Sequence, residues 1–343
     1  MPDRYYAAAC QFDLPNPTSR DQIAERVSRV LAVVEQAVQG YAPFFDVRLL
    51  AFPEFTHAAP IYATAAEIAD RLAVPIPNEH TDRYAAKARK LGVFIQTGTF
   101  LEIDARWPGH VFNTTCLIGP DGLLSRYRKV HPWVPWEVHT SPHDLPGYDE
   151  PLFPVTETEI GRLGAAICYD WLFPEAIRQL GLAGAEVLIR VSAYMDPWGT
   201  AAPLDWWTLA NRMRAIENMA YVVAANQAAS REHYPPFSWP GGSMIVDFDG
   251  RILAQADPGP VEKFLVGPID LAALRHERER RRGHHLLAHL RTETYAAYRH
   301  ALYPAGTARS TPPTAESNVN AHAAAKAALA SLQTKRDWDS RSI

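Results

Sequence analysis

The chain of 343 residues is poor in cysteine, with Cys10, Cys116 and Cys168 as its three. An odd count at such wide spacing supports neither a disulfide framework nor a cysteine-built zinc site. Basic charge is not in excess either: 34 Lys and Arg stand against 38 Asp and Glu, a formal net charge of -4. Proteins that bind nucleic acid carry a basic face, so no nucleic-acid partner is expected. No apolar run approaches the ~20 residues that span a bilayer. The opening Met1-Pro2-Asp3-Arg4-Tyr5-Tyr6 lacks the basic-then-apolar order of a secretory signal. The expectation is therefore a soluble, cytoplasmic protein with no membrane partner. At 47% hydrophobic residues, a chain of this length can bury roughly three quarters of its unfolded surface without a covalent or metal staple.

Along the chain, short β-rich runs alternate with amphipathic stretches. Residues 6–12 read as a buried strand, and 21–39 follow with apolar side chains at Ile23, Val27, Val30, Leu31, Val34 and Ala37, close to a helical period. Residues 47–53 form a second strand, 81–91 a helix closed by Gly92, and 93–103 a third strand. Two β-hairpins are signalled by Asp121-Gly122 and Asp249-Gly250, because Asp-Gly supplies the positive φ angles that tight hairpin turns require. Between them come strands at 164–168, 186–191 and 221–226 and helices at 174–182 and 204–218. This alternation predicts one layered α/β domain with a mixed sheet over residues 1–303. From Pro304 the text turns Pro-rich and then Ala-rich, with a surface helix expected at 321–332. Residues 304–343 read as a tail that is peripheral or contacts another subunit.

Three reactive side chains stand at strand ends: Glu54 in Ala51-Phe52-Pro53-Glu54-Phe55, Lys129 in Tyr127-Arg128-Lys129-Val130, and Cys168 in Ala165-Ala166-Ile167-Cys168-Tyr169-Asp170. Binding crevices of layered α/β folds open at the carboxyl ends of strands, so the trio can converge there. A cysteine acts as a nucleophile once a base takes its proton, a role open to Glu54. An ammonium such as Lys129 and backbone N–H groups can hold an oxyanion. That is the layout of acyl transfer. Each residue alone also has a plain reading, as a small core residue for the cysteine and as solvated or paired charges for the other two. His285, His289 and Glu293 fall four residues apart on an expected helix, where a solvated face is the plainer reading than a metal site.

Phe52-Pro53-Glu54-Phe55, Tyr127-Arg128-Lys129 and Cys168-Tyr169-Asp170-Trp171-Leu172-Phe173-Pro174-Glu175 together resemble the three signatures of the nitrilase, or carbon-nitrogen hydrolase, superfamily. Residues 184–189, 214–227 and 242–250 are also similar to its text, so the resemblance spans about residues 5–271. It implies a four-layer α-β-β-α sandwich and a Cys-Glu-Lys mechanism needing neither metal nor cofactor. Glu54 matches the family's general base, Lys129 its oxyanion-stabilising lysine and Cys168 its nucleophile, with the Tyr169 backbone N–H completing the oxyanion hole. His131-Pro132-Trp133-Val134-Pro135-Trp136-Glu137 is similar to the segment of aliphatic amidases in which a glutamate contacts the lysine and orients substrate. Glu137 matches that position, although without the resemblance it reads equally as a loop-surface carboxylate.

Glu54-Phe55-Thr56-His57 and residues 190–195 are similar to aliphatic amidase and formamidase text, whereas Cys168-Tyr169-Asp170 is closer to general amidases and carbamoylases. Nitrilases usually carry Trp-Glu after the nucleophile, which this chain lacks. The resemblance thus implies an amidase cleaving a linear carboxamide, with N-carbamoyl amide and nitrile hydrolysis as alternatives. A catalytically silent scaffold would be favoured by loss of a catalytic residue, and none is lost. Phe55, Trp133, Trp136, Tyr169, Trp171 and Tyr194, with Trp198, flank these segments and are candidates to contact the small-molecule substrate, although aromatics more often serve packing. The resemblance further implies a homodimer or higher homo-oligomer, packed through the helix at 174–182 and the C-terminal segment. Leu286, Leu287, Leu290, Tyr295 and Tyr298, an apolar set rimmed by charge, agree with that in part.

Overall fold

The structure, a computed structural model, describes residues 3–12, 17–133, 137–195, 205–228, 240–257, 262–303 and 312–335. The first half contains β1 (Arg4–Gln11), α1 (Ile23–Tyr41), β2 (Val47–Ala51), α2 (Ala65–Arg71), α3 (Glu79–Leu91), β3 (Phe94–Gln96), β4 (Phe100–Glu102) and the hairpin β5 (Phe112–Gly119) and β6 (Gly122–Arg128). The second half contains β7 (Val155–Thr158), β8 (Gly161–Ile167), α4 (Pro174–Leu182), β9 (Val187–Ser192), α5 (Trp206–Asn218), β10 (Tyr221–Asn226), β11 (Met244–Val246), β12 (Ile252–Gln255), β13 (Lys263–Asp270), α6 (Leu271–Arg280) and α7 (Ala315–Lys335).

These strands make two sheets. One runs β13-β1-β2-β3-β5-β4, with β6 also paired to β5; the other runs β12-β11-β10-β9-β8-β7. β1, β2 and β3 are mutually parallel, and so are β8, β9 and β10. Because side chains alternate across a strand, Ala7 and Ala9 of β1 enter the core between the sheets with Leu163, Val187 and Val222. Their neighbours Ala8 and Cys10 pack beneath α1 and α3 against Val27, Val30, Val34 and Tyr84. On the far side, Ile177 and Leu180 of α4 and Ala215 of α5 close the second sheet. The expected four layers, α-β-β-α, are what the chain adopts.

Local chemistry explains the helix limits that matter. Asn78 caps α3 by accepting from the N–H groups of His80 (2.8 Å) and Thr81 (3.0 Å), and Gly92 ends it at a φ of 66°. Pro174 opens α4, where its fixed φ suits a first helical turn.

Three expectations need correction. The strand over 93–103 is two strands, because Gly98 sits so close to the chain of residues 53–56 that an added Cβ would lie 2.4 Å from Pro53 O and 2.3 Å from Thr56 Cβ. Residues 286–289 are a turn and Thr292–Thr294 a separate 3-10 turn rather than one continuous helix, so His285, His289 and Glu293 do not share a helical face. Among the described residues no group of three or more His, Cys, Asp or Glu could hold a metal. The C-terminal helix is longer than expected and its start folds back on its own chain. Asn318 is buried and Pro312 faces Gly109. No helix among the described residues is long and apolar enough to cross a membrane.

Candidate active site

The carboxyl ends of β2, β8, β9 and β10 lie on one edge of the facing sheets, and the site is built there. Beyond β2 the chain turns sharply. Phe55 takes a φ of 62° and its N–H donates to Thr99 Oγ1 at 2.9 Å, while Thr56 Oγ1 donates to Pro53 O at 2.7 Å. The break between β3 and β4 supplies Thr99 and leaves room for this turn. Gln227, just past β10, donates to the Glu54 carbonyl at 2.8 Å. The Glu54 carboxylate, 1% exposed, then receives three donors. Asn113 Nδ2 (2.8 Å) and Lys129 Nζ (2.9 Å) bind Oε1, and the Ala193 N–H binds Oε2 at 3.0 Å.

Lys129 follows β6 and is anchored by its N–H to Asn113 O at 2.9 Å. Its buried ammonium also reaches both oxygens of Glu137 at 2.9 Å, and the Trp133 N–H donates to Glu137 Oε2. One cation thus joins two carboxylates, and the two are not equivalent. Burial raises the Glu54 pKa above the ordinary carboxylate value, and the nearby Glu137 charge adds to the rise, against the pull of Lys129. Burial acts on Glu137 too, but Lys129 and the Trp133 N–H overcome it and hold that carboxyl below its usual range. Of the pair, Glu54 is the better proton acceptor. Burial by itself would discharge Lys129, yet Glu137 and Glu54 raise its pKa and keep it an ammonium. His139, 3.5 Å from Glu137 Oε2, is pushed down to about 4 by burial and stays neutral.

Cys168 begins a short 3-10 turn where β8 ends, with a φ of 44° that side chains rarely adopt. Asp170 holds that turn. Its Oδ2 accepts from the Ile167 N–H (3.1 Å) and Tyr127 Oη (2.7 Å), and its Oδ1 from the N–H (2.9 Å) and Nδ1 (2.8 Å) of His131. One carboxylate therefore ties the cysteine turn to the segment bearing Lys129. Burial, then the Glu54 charge, push the Cys168 thiol well above its ordinary pKa, and Lys129 and Arg190 offset this only in part. Arg190, fully buried on β9, lies 4.2 Å over the Trp207 ring, 5.1 Å over Tyr194 and 5.5 Å over Trp171, and donates to Asn211 Oδ1 and Ser192 Oγ. Burial lowers its pKa to about 10, so it stays cationic at neutral pH.

The carbon-nitrogen hydrolase family profile matches residues 6–279. The chain belongs to that family. Formamidases from Bacillus cereus and Bacillus thuringiensis are 29% identical to this hydrolase over 262 residues, covering 75% of this chain and 72% of theirs. A carbon-nitrogen hydrolase of Helicobacter pylori shares the fold, with a TM-score of 0.67 at 23% identity over 86% of this chain and 98% of that one. So does Nit3 of Saccharomyces cerevisiae, a nitrilase-superfamily member, with a TM-score of 0.65 at 23% identity over 82% and 95% of the two chains. The membership rests on the profile, which covers most of the chain, and makes the protein a carbon-nitrogen hydrolase.

In this hydrolase Glu54, Lys129 and Glu137 meet directly, and Cys168 stands within reach of their charges. The aromatic candidates divide. Phe55 and Tyr169 are half-buried next to Glu54 and Cys168 in the chain, and Tyr169 packs edge-on to Phe173 at 5.1 Å. Tyr194 is buried beside Arg190, and Trp133 is 36% exposed next to Glu137. Trp171 has no exposure. Its indole N–H donates to Ala166 O at 3.1 Å and its ring is occupied by Arg190, which makes it a support in the core. Trp136 and Trp198 lie outside the described residues. Clefts of about 460 and 290 Å³ open elsewhere, at Arg29 with Lys263 and at Arg106 with Arg126, and neither contains Cys168. Asn113, Asp170, Arg190 and Gln227 were not anticipated as parts of the site. Asn113 reads in sequence as part of a glycosylation sequon, and Asp170, two residues past the cysteine, is the one with a signal near at hand.

Proposed function

We propose that this hydrolase is a cysteine-dependent amidohydrolase that converts a linear carboxamide to a carboxylic acid and ammonia or an amine through a thioester. The observation that carries the reading is the meeting of buried Glu54, Lys129 and Glu137, with Lys129 Nζ 2.9 Å from both carboxylates, near the turn that Cys168 opens; burial pushes up the proton affinity of both the Cys168 thiol and the Glu54 carboxyl. Such a pair favours transfer of the thiol proton to Glu54 as sulfur attacks the amide carbon, rather than a standing thiolate. The Lys129 ammonium and the Tyr169 N–H stabilise the tetrahedral oxyanion, and Glu137 fixes Lys129 from the other side. Glu54 next gives its proton to the departing amine, leaving the thioester. It then takes a proton from the attacking water, and breakdown of the second tetrahedral intermediate releases the acid and returns that proton to sulfur. No cofactor enters these steps.

The formamidase relatives make formamide and other short aliphatic amides the first substrates to test. Phe55, Tyr169, Tyr194 and Trp133 are the residues assigned to contact them. The reading includes a homo-oligomer in the cytoplasm, supported by a row of apolar side chains left in solvent on α4 and α5: Leu182, Trp206, Leu209 (63% exposed) and Met213. The segment bearing Tyr295 and Tyr298 lies alongside, tied to α4 by Tyr298 Oη to Glu175 Oε1 at 2.6 Å.

The test is ammonia release from short amides, aryl amides, carbamoyl compounds and nitriles, with hydroxylamine added as a second acceptor. Turnover of amides with hydroxamate formation, lost in Cys168→Ala and kept in Cys10→Ala and Cys116→Ala, is expected. Acid formation without any hydroxamate at saturating hydroxylamine overturns the thioester, and a preference for nitriles or carbamoyl compounds moves the enzyme to that substrate class.

A further inference from the structure

The start of α7 reaches the site from outside the segment matched by the family profile. Asn318, in its first turn and 3% exposed, donates from Nδ2 to the Glu137 backbone carbonyl at 2.8 Å. The turn is organised for that contact. Thr314 Oγ1 accepts from the Ser317 N–H at 3.0 Å, Ser317 Oγ accepts from the Thr314 N–H at 2.9 Å, and the Asn318 N–H donates to Thr314 O at 2.9 Å. Pro313 is buried, and Pro312 lies 3.4 Å from where a Cβ of Gly109 would stand. The turn at Gly109 leads to His110, whose Nδ1 is 2.8 Å from Thr140 Oγ1, and to Val111, whose carbonyl accepts from the Thr140 N–H at 2.7 Å. Further back, His143 Nε2 lies 3.0 Å from Tyr303 O. The C-terminal segment therefore holds residues 137–143 at both ends, from Tyr303 and from Asn318.

Most of α7 has little to hold it by burial. Among its described side chains Asn318 and Ala325 are the buried ones, while Val319 and Leu329 are exposed. A helix so docked is placed by polar contacts at its first turn more than by an apolar face. One of those contacts, from Asn318, falls on the residue whose carboxylate grips Lys129.

We propose that Asn318 is a positioning residue of the active site: by holding the Glu137 main chain it keeps both carboxylate oxygens on Lys129, so that the C-terminal segment is needed, in the same chain, for full catalytic competence. The proposal rests on the role given above to Glu137. The groups around that carboxylate are Lys129, His139, Glu54 and Cys168. Glu137 in place raises the proton affinity of Glu54, so any change that withdraws it lowers the Glu54 pKa and moves the acid limb of kcat/KM to lower pH.

The test compares Asn318→Ala, Asn318→Gln and Glu137→Gln in the full chain, on the amide turned over best, with kcat, KM, the pH profile and thermal melting recorded for each. Asn318→Ala is expected to lower kcat about tenfold to a hundredfold, as a misplacement of ~1 Å does, with KM and melting little changed. Its acid limb should shift in the same direction as that of Glu137→Gln. Asn318→Gln, which keeps the amide donor, should recover part of the loss. An Asn318→Ala enzyme with the wild-type kcat and limb beside an impaired Glu137→Gln overturns the proposal alone. So does a loss of activity explained by melting with the limb unmoved. A Glu137→Gln enzyme indistinguishable from wild type removes the role of Glu137 and the proposal with it.

Discussion

A methyl group at Gly98 would press on the turn that presents Glu54. The added Cβ would lie 2.4 Å from Pro53 O, 2.3 Å from Thr56 Cβ and 2.5 Å from Thr56 Oγ1, whereas ordinary contacts start near ~3.5 Å. Relief requires a movement of about 1 Å, and the atoms in the way are main chain and a short side chain already bonded to it, which have little room to rotate aside. The conflict should cost about 1–3 kcal/mol of stability, the usual range for overpacking a close-fitted site. The larger effect falls on catalysis. Pro53 and Thr56 flank Glu54, and a displacement of that size at a reacting group lowers turnover on the order of a hundredfold. Gly98→Ala should therefore melt only a few degrees lower while kcat for ammonia release falls steeply, and the acid limb should broaden or move as Glu54 loses its contacts with Asn113, Lys129 and Ala193. A Gly98→Ala enzyme with kcat within about twofold of wild type would refute the link between this backbone approach and the base.

The acid limb of kcat/KM in the wild type is expected above the ~4.3 of a free glutamate. As the proposed base Glu54 would act when ionised, and burial raises its pKa, so activity should be present above the raised value and lost as pH falls through it; a limb at or below the free value contradicts this. Asp170→Asn places an amide where the carboxylate accepts from Ile167, Tyr127 and His131, leaving at least one buried donor unmatched at a cost of about 1.5–3 kcal/mol. Urea unfolding should show that loss, with slower turnover, and an unchanged midpoint would count against it. Light scattering should find assemblies of more than one chain, and Leu209→Glu with Met213→Glu on the exposed row of α5 should dissociate them. A full-length protein that runs as a monomer defeats the assembly.

Much of this arrangement can be read in the sequence because it is local. Glu54, Lys129 and Cys168 each follow a run with a strand's apolar pattern, and α4 and β10 have the limits that Pro174 and the Tyr221–Asn226 run suggest. What escapes such reading depends on distant partners. Residues 93–103 read as one β-rich run, and only the approach of residues 53–56 to Gly98 shows why it breaks. β13 contains Pro268, which discourages a strand assignment, yet it lies at the sheet edge where a missing N–H is tolerated. Arg190 looks misplaced in an apolar run until Trp171, Trp207 and Tyr194 close around it. Asn318, 181 residues from Glu137, has no local signal for its contact.

The high pKa of Cys168 has a consequence outside catalysis. Thiolates rather than thiols attack peroxides and most electrophiles, and a cysteine climbs the oxidation ladder from sulfenic to sulfonic acid most readily where its sulfur is ionised and open to solvent. Here Cys168 is 9% exposed, and burial pushes its thiol well above the ordinary pKa, which disfavours the thiolate. Under the proposed mechanism the resting enzyme thus carries its nucleophile in a chemically quiet form, which an amide arriving beside Lys129 and Glu54 would awaken and a passing oxidant would not, so that it should endure in air without a reductant where an enzyme with a standing thiolate would fade.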